Sequence, residues 1–162
     1  MAWAKNGTPN TLTGTADDID ITDLTAKKFN FFISHQLQSG ATSCYLKFNG
    51  DSSSVYADRY SINGGSDATD TNLFIARWYN DSTDTTDRFS ICYLYSILGE
   101  EKLGISFTCE QISTGAGTAP ERIELVLKYV PSPDANVTQI NLDNAGAGDW
   151  ATGSNLSALG TD

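Results

Sequence analysis

Few residues in this chain have the types and the spacing that catalysis requires. His35 is the only histidine, so it is the only imidazole that could act as the base for a serine or cysteine nucleophile. It lies in the apolar, strand-like run KKFNFFISHQLQ, and no G-x-S-x-G nucleophile elbow accompanies it. We interpret His35 as a structural side chain on a core face. We therefore assign no catalytic residue and predict that the protein is not an enzyme.

The three cysteines, Cys44, Cys92 and Cys109, lie far apart in separate apolar runs. A zinc site would need short C-x-x-C spacing or additional histidines, and the chain has neither. We interpret all three as buried thiols. A disulfide between two of the three remains open, for example between Cys92 and Cys109, which fall on strands that we expect to be neighbours.

The carboxylates are numerous, with 20 acidic residues against 10 basic ones and a net charge of -10. With so many acids, some pair always lies at a glycosidase-like separation, so such a pair carries no information. Most of them occupy turns, where Asp bonds to its own backbone. No EF-hand spacing appears, and we predict no metal and no other cofactor. Two turn clusters remain open as calcium candidates: Asp81, Asp84 and Asp87, and Asp17, Asp18 and Asp20.

The acidic balance argues against a nucleic-acid partner, because phosphate binding relies on Lys and Arg releasing counterions. No apolar run approaches the roughly 18 residues that a membrane-spanning helix needs. The first residues, MAWAKNGTPNTLTG, lack the apolar stretch of a secretory signal. We expect a soluble chain that binds neither nucleic acid nor membrane.

The dominant pattern is alternation of apolar and polar residues, interrupted by clusters of Gly, Asn, Asp, Ser and Thr. It predicts an all-β fold: a single antiparallel, jelly-roll-like β-sandwich of about ten short strands over residues 13–162. Residues 1–12 form a polar N-terminal arm. The predicted strands fall near 18–22, 29–37, 43–48, 55–62, 72–79, 88–98, 105–112, 122–130, 138–142 and 155–159.

Alternation also predicts which side chains face the core. In 122–130 the core face carries Ile123, Leu125, Leu127 and Tyr129. In the run around His35 the predicted core face carries Phe29, Phe31, Ile33 and Leu37, with Phe32 as an exception on the other side. The run 88–98 is apolar on both faces and predicts a central strand covered on both sides. Residues 88–112 predict one long hairpin.

Two kinds of aromatic residue are candidates for binding. Tyr60 and Trp78 lie in strands next to turns, where they either pack in the core or form a surface platform on which a glycan could stack. Trp3 lies in the polar arm, where nothing nearby forms a core. We interpret Trp3 as an anchor of the arm, on this subunit or on a neighbour.

Two segments carry a resemblance to a known family. In LKFNGDSSSVYADRYSINGGSD, residues 46–67, an apolar strand is followed by FNGD, a strand with an Arg-Tyr pair, and NGG. In the ending INLDNAGAGDWATGSNLSALGTD, Trp150 follows a Gly-rich turn and precedes a Gly-Ser step and a last strand. The chain resembles small all-β virion proteins of tailed bacteriophages. The matching turn positions are Asn49, Gly50, Asp51, Asn63, Gly64, Gly65, Gly153 and Ser154, and we interpret them as structural, with NGG supplying positive φ for a hairpin.

The resemblance implies a sandwich at the virion surface, either a head decoration protein or the tip of a tail fibre. A fibre needs an attachment region and a shaft, whereas this chain begins its first strand within about a dozen residues. We therefore expect a capsid decoration (cement) subunit on the outer surface of a phage head, a homotrimer bound to the major capsid protein. A receptor- or carbohydrate-binding tip module and a self-assembling filament subunit remain open.

Overall fold

The computed structural model describes residues 2–73, 76–79 and 86–162, and all regular elements in these ranges are β-strands. The prediction of an all-β sandwich is confirmed. The described part of the chain contains no helix that could cross a membrane. The strands are β1 (Ala4–Lys5), β2 (Asn10–Thr11), β3 (Asp18–Ile21), β4 (Phe29–Gln36), β5 (Cys44–Phe48), β6 (Tyr56–Ile62), β7 (Ala68–Leu73), β8 (Ala76–Tyr79), β9 (Arg88–Tyr95), β10 (Lys102–Glu110), β11 (Glu121–Tyr129), β12 (Ile140–Asn144) and β13 (Asn155–Thr161).

These strands form two antiparallel sheets that pack against each other. The large sheet has the order β1-β13-β4-β9-β10-β11-β6-β7, with β2 also paired to β13, and the small sheet has the order β3-β12-β5-β8. From β3 to β6 the chain alternates between the small and the large sheet, which is a jelly-roll-like winding. The β9–β10 hairpin lies within the large sheet, between β4 and β11.

The predicted strands correspond closely to the observed ones, with two differences. The run predicted at 72–79 contributes to two strands, β7 and β8, which belong to different sheets. The arm contains β1 and β2, both of which pair with β13 of the same chain.

The core lies between the sheets and is mostly apolar. The small sheet contributes side chains that are at most 1% exposed: Ile19, Ile21, Leu46, Phe48, Trp78, Ile140 and Leu142. The large sheet contributes Phe32, Leu94, Leu125 and Tyr129. Burying each large apolar side chain stabilises the fold by about 1.5–3 kcal/mol, so this layer is the main source of stability.

The register of β11 determines which way its neighbours face. Leu125 is buried, as predicted, and it pairs with Ser106 of β10, which pairs with Cys92 of β9, which pairs with Phe32 of β4. Cross-strand partners lie on the same face of a sheet, so all four side chains point into the sandwich. The side chains that alternate with them therefore point outward.

This register overturns the predicted facing of β4. Phe32, the predicted exception, is fully buried, whereas Phe29, Phe31 and Ile33 lie on the outward face and are partly exposed. His35 is exposed and does not belong to the core. The strand β9 is central, as predicted, but the chain covers only its inner face: Phe89 and Tyr93 are 50% and 47% exposed.

The inner face is correspondingly polar along β10 and at the Arg88–Ser90 end of β9. On β10 the inward residues are Lys102, Gly104, Ser106, Thr108 and Glu110, all of them buried. Polar side chains form hydrogen bonds with one another in the middle of this layer. The Ser90 and Thr108 hydroxyl oxygens lie 2.8 Å apart, and Gln36 Nε2 donates to the Ser90 hydroxyl at 3.2 Å. Buried polar groups must be hydrogen-bonded in this way to avoid a desolvation penalty.

Candidate interaction surface

The outward side of β4, β9 and β10 is an apolar surface, which we call the outer face. Four alternate positions on each of the three strands form its centre, aligned by the register of the strands. The residues are Phe29, Phe31, Ile33 and His35 on β4; Phe89, Ile91, Tyr93 and Tyr95 on β9; and Leu103, Ile105, Phe107 and Cys109 on β10. None of these side chains is acidic, and all except His35 and Cys109 are apolar or aromatic.

Aromatic rings order one half of the outer face. The rings of Phe31 and Tyr93 stack with centroids 4.4 Å apart, and Phe29 lies 6.1 Å from Tyr95. The rings of Trp3 and Phe31 make a T-shaped contact with centroids 6.3 Å apart, and Trp3 is 45% exposed. Such pairs contribute about 0.5–1.5 kcal/mol beyond area burial, so the rings hold one another in place.

Aliphatic side chains and an open groove form the other half. Leu103, Ile105 and Val126 are each about half exposed. They line a groove of about 540 Å³ that extends across β10 and β11 to β6 and β7. Soluble monomers seldom expose contiguous apolar patches larger than a few hundred Å², so a surface of this kind is typical of a binding interface.

Charged side chains border the outer face along β11 and β6, and each is paired within the chain. Arg59 lies 3.2 Å from Asp67, Arg122 lies 3.5 Å from Glu124, and Lys128 lies 3.4 Å from Glu101. These residues form a charged rim beside an apolar centre. Apolar centres with polar rims are the usual anatomy of protein–protein interfaces.

Buried charges hold the hairpin that carries the outer face. At one end Arg88 Nε lies 3.1 Å from Glu110 Oε2, with both side chains at most 3% exposed, and Thr86 donates to Glu110. At the other end Lys102 Nζ donates to the carbonyls of Ile97 and Glu100, each at 2.7 Å, and to Asp134 at 2.6 Å. The outer face is thus fixed to a well-connected scaffold.

His35 and Cys109 both line a shallow cleft of about 340 Å³ at one end of the outer face, together with Asp87. The register places Phe89 between His35 and Cys109, so their Cα atoms lie two strands apart, about 10 Å by strand spacing. Direct proton transfer between a thiol and a base needs hydrogen-bond contact. The backbone therefore does not pair these two side chains as nucleophile and base.

The cysteines divide into two classes. Burial raises the pKa of the Cys44 and Cys92 thiols to about 12, so these two are unreactive. Cys109 is exposed, and the expectation that it is buried was wrong, because β10 turns its apolar side outward. All three cysteines are free, and Cys92 and Cys109 point to opposite faces of the sheet, so the disulfide considered between them does not form.

The FNGD motif forms a turn that ties distant parts of the chain together. Asn49 and Gly50 have φ of 55° and 64°. The Asn49 amide donates to the carbonyl of Asn136 at 2.8 Å, and its oxygen accepts from the backbone N–H of Thr138 at 2.9 Å. Partial burial of the Asp51 carboxylate is outweighed by hydrogen bonds from Ser53 and Tyr129, which hold its pKa below the usual range. The motif therefore joins the turn after β5 to the segment before β12.

The other motif residues also hold turns. Asn63 and Gly64 have φ of 53° and 73°, and the N–H of Gly65 donates to the carbonyl of Ile62 at 2.8 Å, which closes a β-turn at the start of the connection between β6 and β7. The predicted positive φ in NGG is confirmed at Gly64. Gly153 has φ of 93°. Next to it, buried Ser154 accepts from the N–H of Leu37 at 2.9 Å and donates to its carbonyl at 3.0 Å.

The aromatic candidates have different surroundings. Trp3 lies beside the outer face, as described above. Its arm is held by Asn6, whose amide donates to the Thr25 carbonyl at 3.0 Å and accepts from the Thr25 N–H at 2.8 Å. Trp78 is 1% exposed and belongs to the core, so of the two alternatives considered for it the structure shows core packing and not a surface platform. Tyr60 is partly buried and packs against the core.

The calcium candidates have separate outcomes. Asp81 and Asp84 lie outside the described residues, so the candidate cluster that they form with Asp87 stays open. Among the described residues, no group of three or more His, Cys, Asp or Glu side chains is placed to hold a metal ion. The pKa of Asp18 is raised by desolvation and by the nearby carboxylates of Asp143 and Asp20.

Comparisons of this chain with known protein families, with curated proteins and with solved structures find no match.

The outer face is the feature that the sequence interpretation missed. Its side chains were assigned to the core because alternation identifies an apolar face without saying which side of the sheet is covered. The signal was Phe32, an aromatic residue on the otherwise polar side of β4. Its burial, together with the apolar inward face of β11, fixes the facing of the strands between them.

Proposed function

We propose that this protein is a non-enzymatic structural subunit of a tailed-phage virion, a decoration subunit on the outer surface of the head. The observation that supports an assembly role is the outer face, an apolar surface with a charged rim and no acidic group at its centre. Placement on a phage head rests on the resemblance of the FNGD, NGG and C-terminal motifs. In this role it forms a homotrimer that contacts the major capsid protein.

Weak contacts suffice for such a subunit. A decoration protein is present in many copies, and linked contacts add through effective concentration, so modest affinity per copy gives a stable layer. The net charge of -10 fits an outward surface that stays soluble around an apolar contact.

Immunogold electron microscopy of virions that carry this gene tests the proposal. An antibody raised against the purified chain is expected to label the head surface in many copies per particle. Labelling confined to the tail tip would instead identify the fibre-tip module, and virions without label would refute a virion role altogether. Pre-immune serum and a phage that lacks the gene provide the controls.

Exposed rings favour one second candidate, a carbohydrate-binding tip. Tyr93 and Phe89 are about half exposed, and aromatic faces of this kind stack on sugars. A glycan array distinguishes this role, since binding that is lost in Tyr93→Ala would support it. The alternative filament subunit predicts long polymers in electron micrographs of the purified chain.

A further inference from the structure

The outer face has no cover within the described chain, although its three strands are among the most regular in the fold. We propose that a second copy of this chain covers it, with the β4–β9–β10 surface of each copy inside the contact. This inference deepens the assembly role proposed above by naming the partner at that surface. It depends on the size, the charge and the shape of the outer face.

The size fits a protein partner. The outer face and its borders extend over five neighbouring strands, from β13 to β11. With strands about 4.8 Å apart and seven residues at about 3.4 Å each, the flat area is on the order of 600 Å². Protruding side chains make the accessible area larger than this flat area and bring it close to the roughly 800 Å² that each partner buries in a standard interface.

The charge favours a copy of the same chain. Two chains of net charge -10 repel each other, and the cost is smallest where their contact contains no carboxylate, as at the centre of the outer face. On the rim, Arg59, Arg122 and Lys128 are each paired with an acid of their own chain. A partner of opposite charge would be matched by a rim of one sign, whereas a balanced rim suits a second copy of this chain, whose rim has the same balance.

The shape allows the same surface to serve on both sides. One half presents exposed rings, those of Trp3 and Tyr93, and the other half presents the groove lined by Leu103, Ile105 and Val126. Rings of one copy can enter the groove of the next. Large aromatic anchors that fill pockets on the partner dominate the binding energy of protein interfaces.

Cys109 is a natural reporter of this contact. It lies on the outer face and is exposed, whereas Cys44 and Cys92 are buried. In a separate chain, Ellman's reagent is expected to modify Cys109 readily. In the assembly that thiol is covered, and its reaction is expected to slow by about tenfold or more, because thiol modification requires access.

The test combines light scattering after size-exclusion chromatography with the rate of Cys109 modification, both across a dilution series. We expect an oligomer that dissociates on dilution, with Cys109 protected only in the oligomer. Ile105→Glu, at a position 51% exposed in the chain, is expected to raise the dissociation constant at least about 30-fold, as loss of a hot-spot residue does. Ile62→Glu, on the opposite face of the sheet, is the matched control and is expected to leave association unchanged.

Two results would overturn the inference. A chain that stays monomeric at all concentrations with reactive Cys109 has no such contact. An oligomer in which Cys109 stays reactive and Ile105→Glu has no effect associates through another surface. Circular dichroism of each variant shows whether the variant is folded. The rate of Cys109 modification in the wild-type chain tests the inference without any substitution. Neither result bears on immunogold labelling of heads, so failure here is distinguishable from failure of the proposed function.

Discussion

The buried ion pair between Arg88 and Glu110 gives a quantitative test of the inner layer. The charged atoms are 3.1 Å apart, and the side chains are 0% and 3% exposed. With an effective dielectric constant of about 20, Coulomb attraction at this distance is about 5 kcal/mol. Removing one partner leaves the other charge buried alone, which costs about 3–5 kcal/mol.

We therefore expect Glu110→Gln and Arg88→Met each to lower the free energy of unfolding by about 3–5 kcal/mol. Domains of this size have only about 5–15 kcal/mol in total, so the melting temperature should fall by roughly 6–20 °C. The double variant removes both charges and should recover much of the loss, with a coupling energy of at least about 2 kcal/mol.

Urea unfolding, followed by circular dichroism and by the fluorescence of the buried Trp78 and Trp150, measures all four corners of this cycle. The exposed pair Arg59 and Asp67, with side chains 59% and 54% exposed, is the control, and its removal should cost less than about 1 kcal/mol. If the free energy of unfolding of each single variant lies within about 1 kcal/mol of wild type and the two effects are additive, the predicted contribution of the buried ion pair is refuted.

Three further predictions concern the facing of strands, an acid transition and a close backbone contact. Leu125→Ala should cost about 2–5 kcal/mol in urea unfolding of dilute protein, and Ile105→Ser should cost clearly less, because only Leu125 is buried; equal losses would contradict the assigned facing. Hydrogen bonds from the Lys102 ammonium and from a backbone N–H hold the pKa of Asp134 below its usual range, so their stabilisation is present at neutral pH and lost as pH falls below about 4. Thermal melts from neutral to acidic pH should therefore fall less steeply for Asp134→Asn than for wild type, and parallel curves would show that this carboxylate does not contribute. Gly148→Ala would place a Cβ 2.5 Å from a backbone carbon and should cost about 1–3 kcal/mol, whereas Gly117→Ala, which has open space around it, should melt close to wild type.

Sequence periodicity was sufficient for the fold class and for the approximate positions of the strands. It was also sufficient for β11, where the polar side carries Glu124 and Lys128 and leaves no doubt about which face is wet. It was insufficient for β4 and β10, where the apolar side is the one left uncovered. Whether a strand face is buried depends on which strands become its neighbours and on the space between the two sheets. Neither can be derived from the sequence of one strand.

The same limit applies to the candidate residues. The turn chemistry of Asn49 and Gly64 follows from local φ preferences, so the sequence was sufficient to predict it. The burial of Trp78 and the exposure of His35 and Cys109 depend on sheet pairing across distant parts of the chain. The sequence around a single histidine on a strand does not indicate whether that histidine is buried or exposed.

The small residues on the inward side of β10 have a consequence for how the chain selects its native pairing. If the hairpin rotated by one residue, Leu103, Ile105 and Phe107 would enter the apolar interior, a rearrangement that hydrophobicity alone would favour. Crowding opposes it, because even a Cβ at Gly104 would lie 3.0 Å from the side chain of Leu127, which would have to move to admit a larger group. Crowding at Gly104 thus works against a competing misfolded state and favours the native pairing, in which the apolar side of the hairpin stays on the surface.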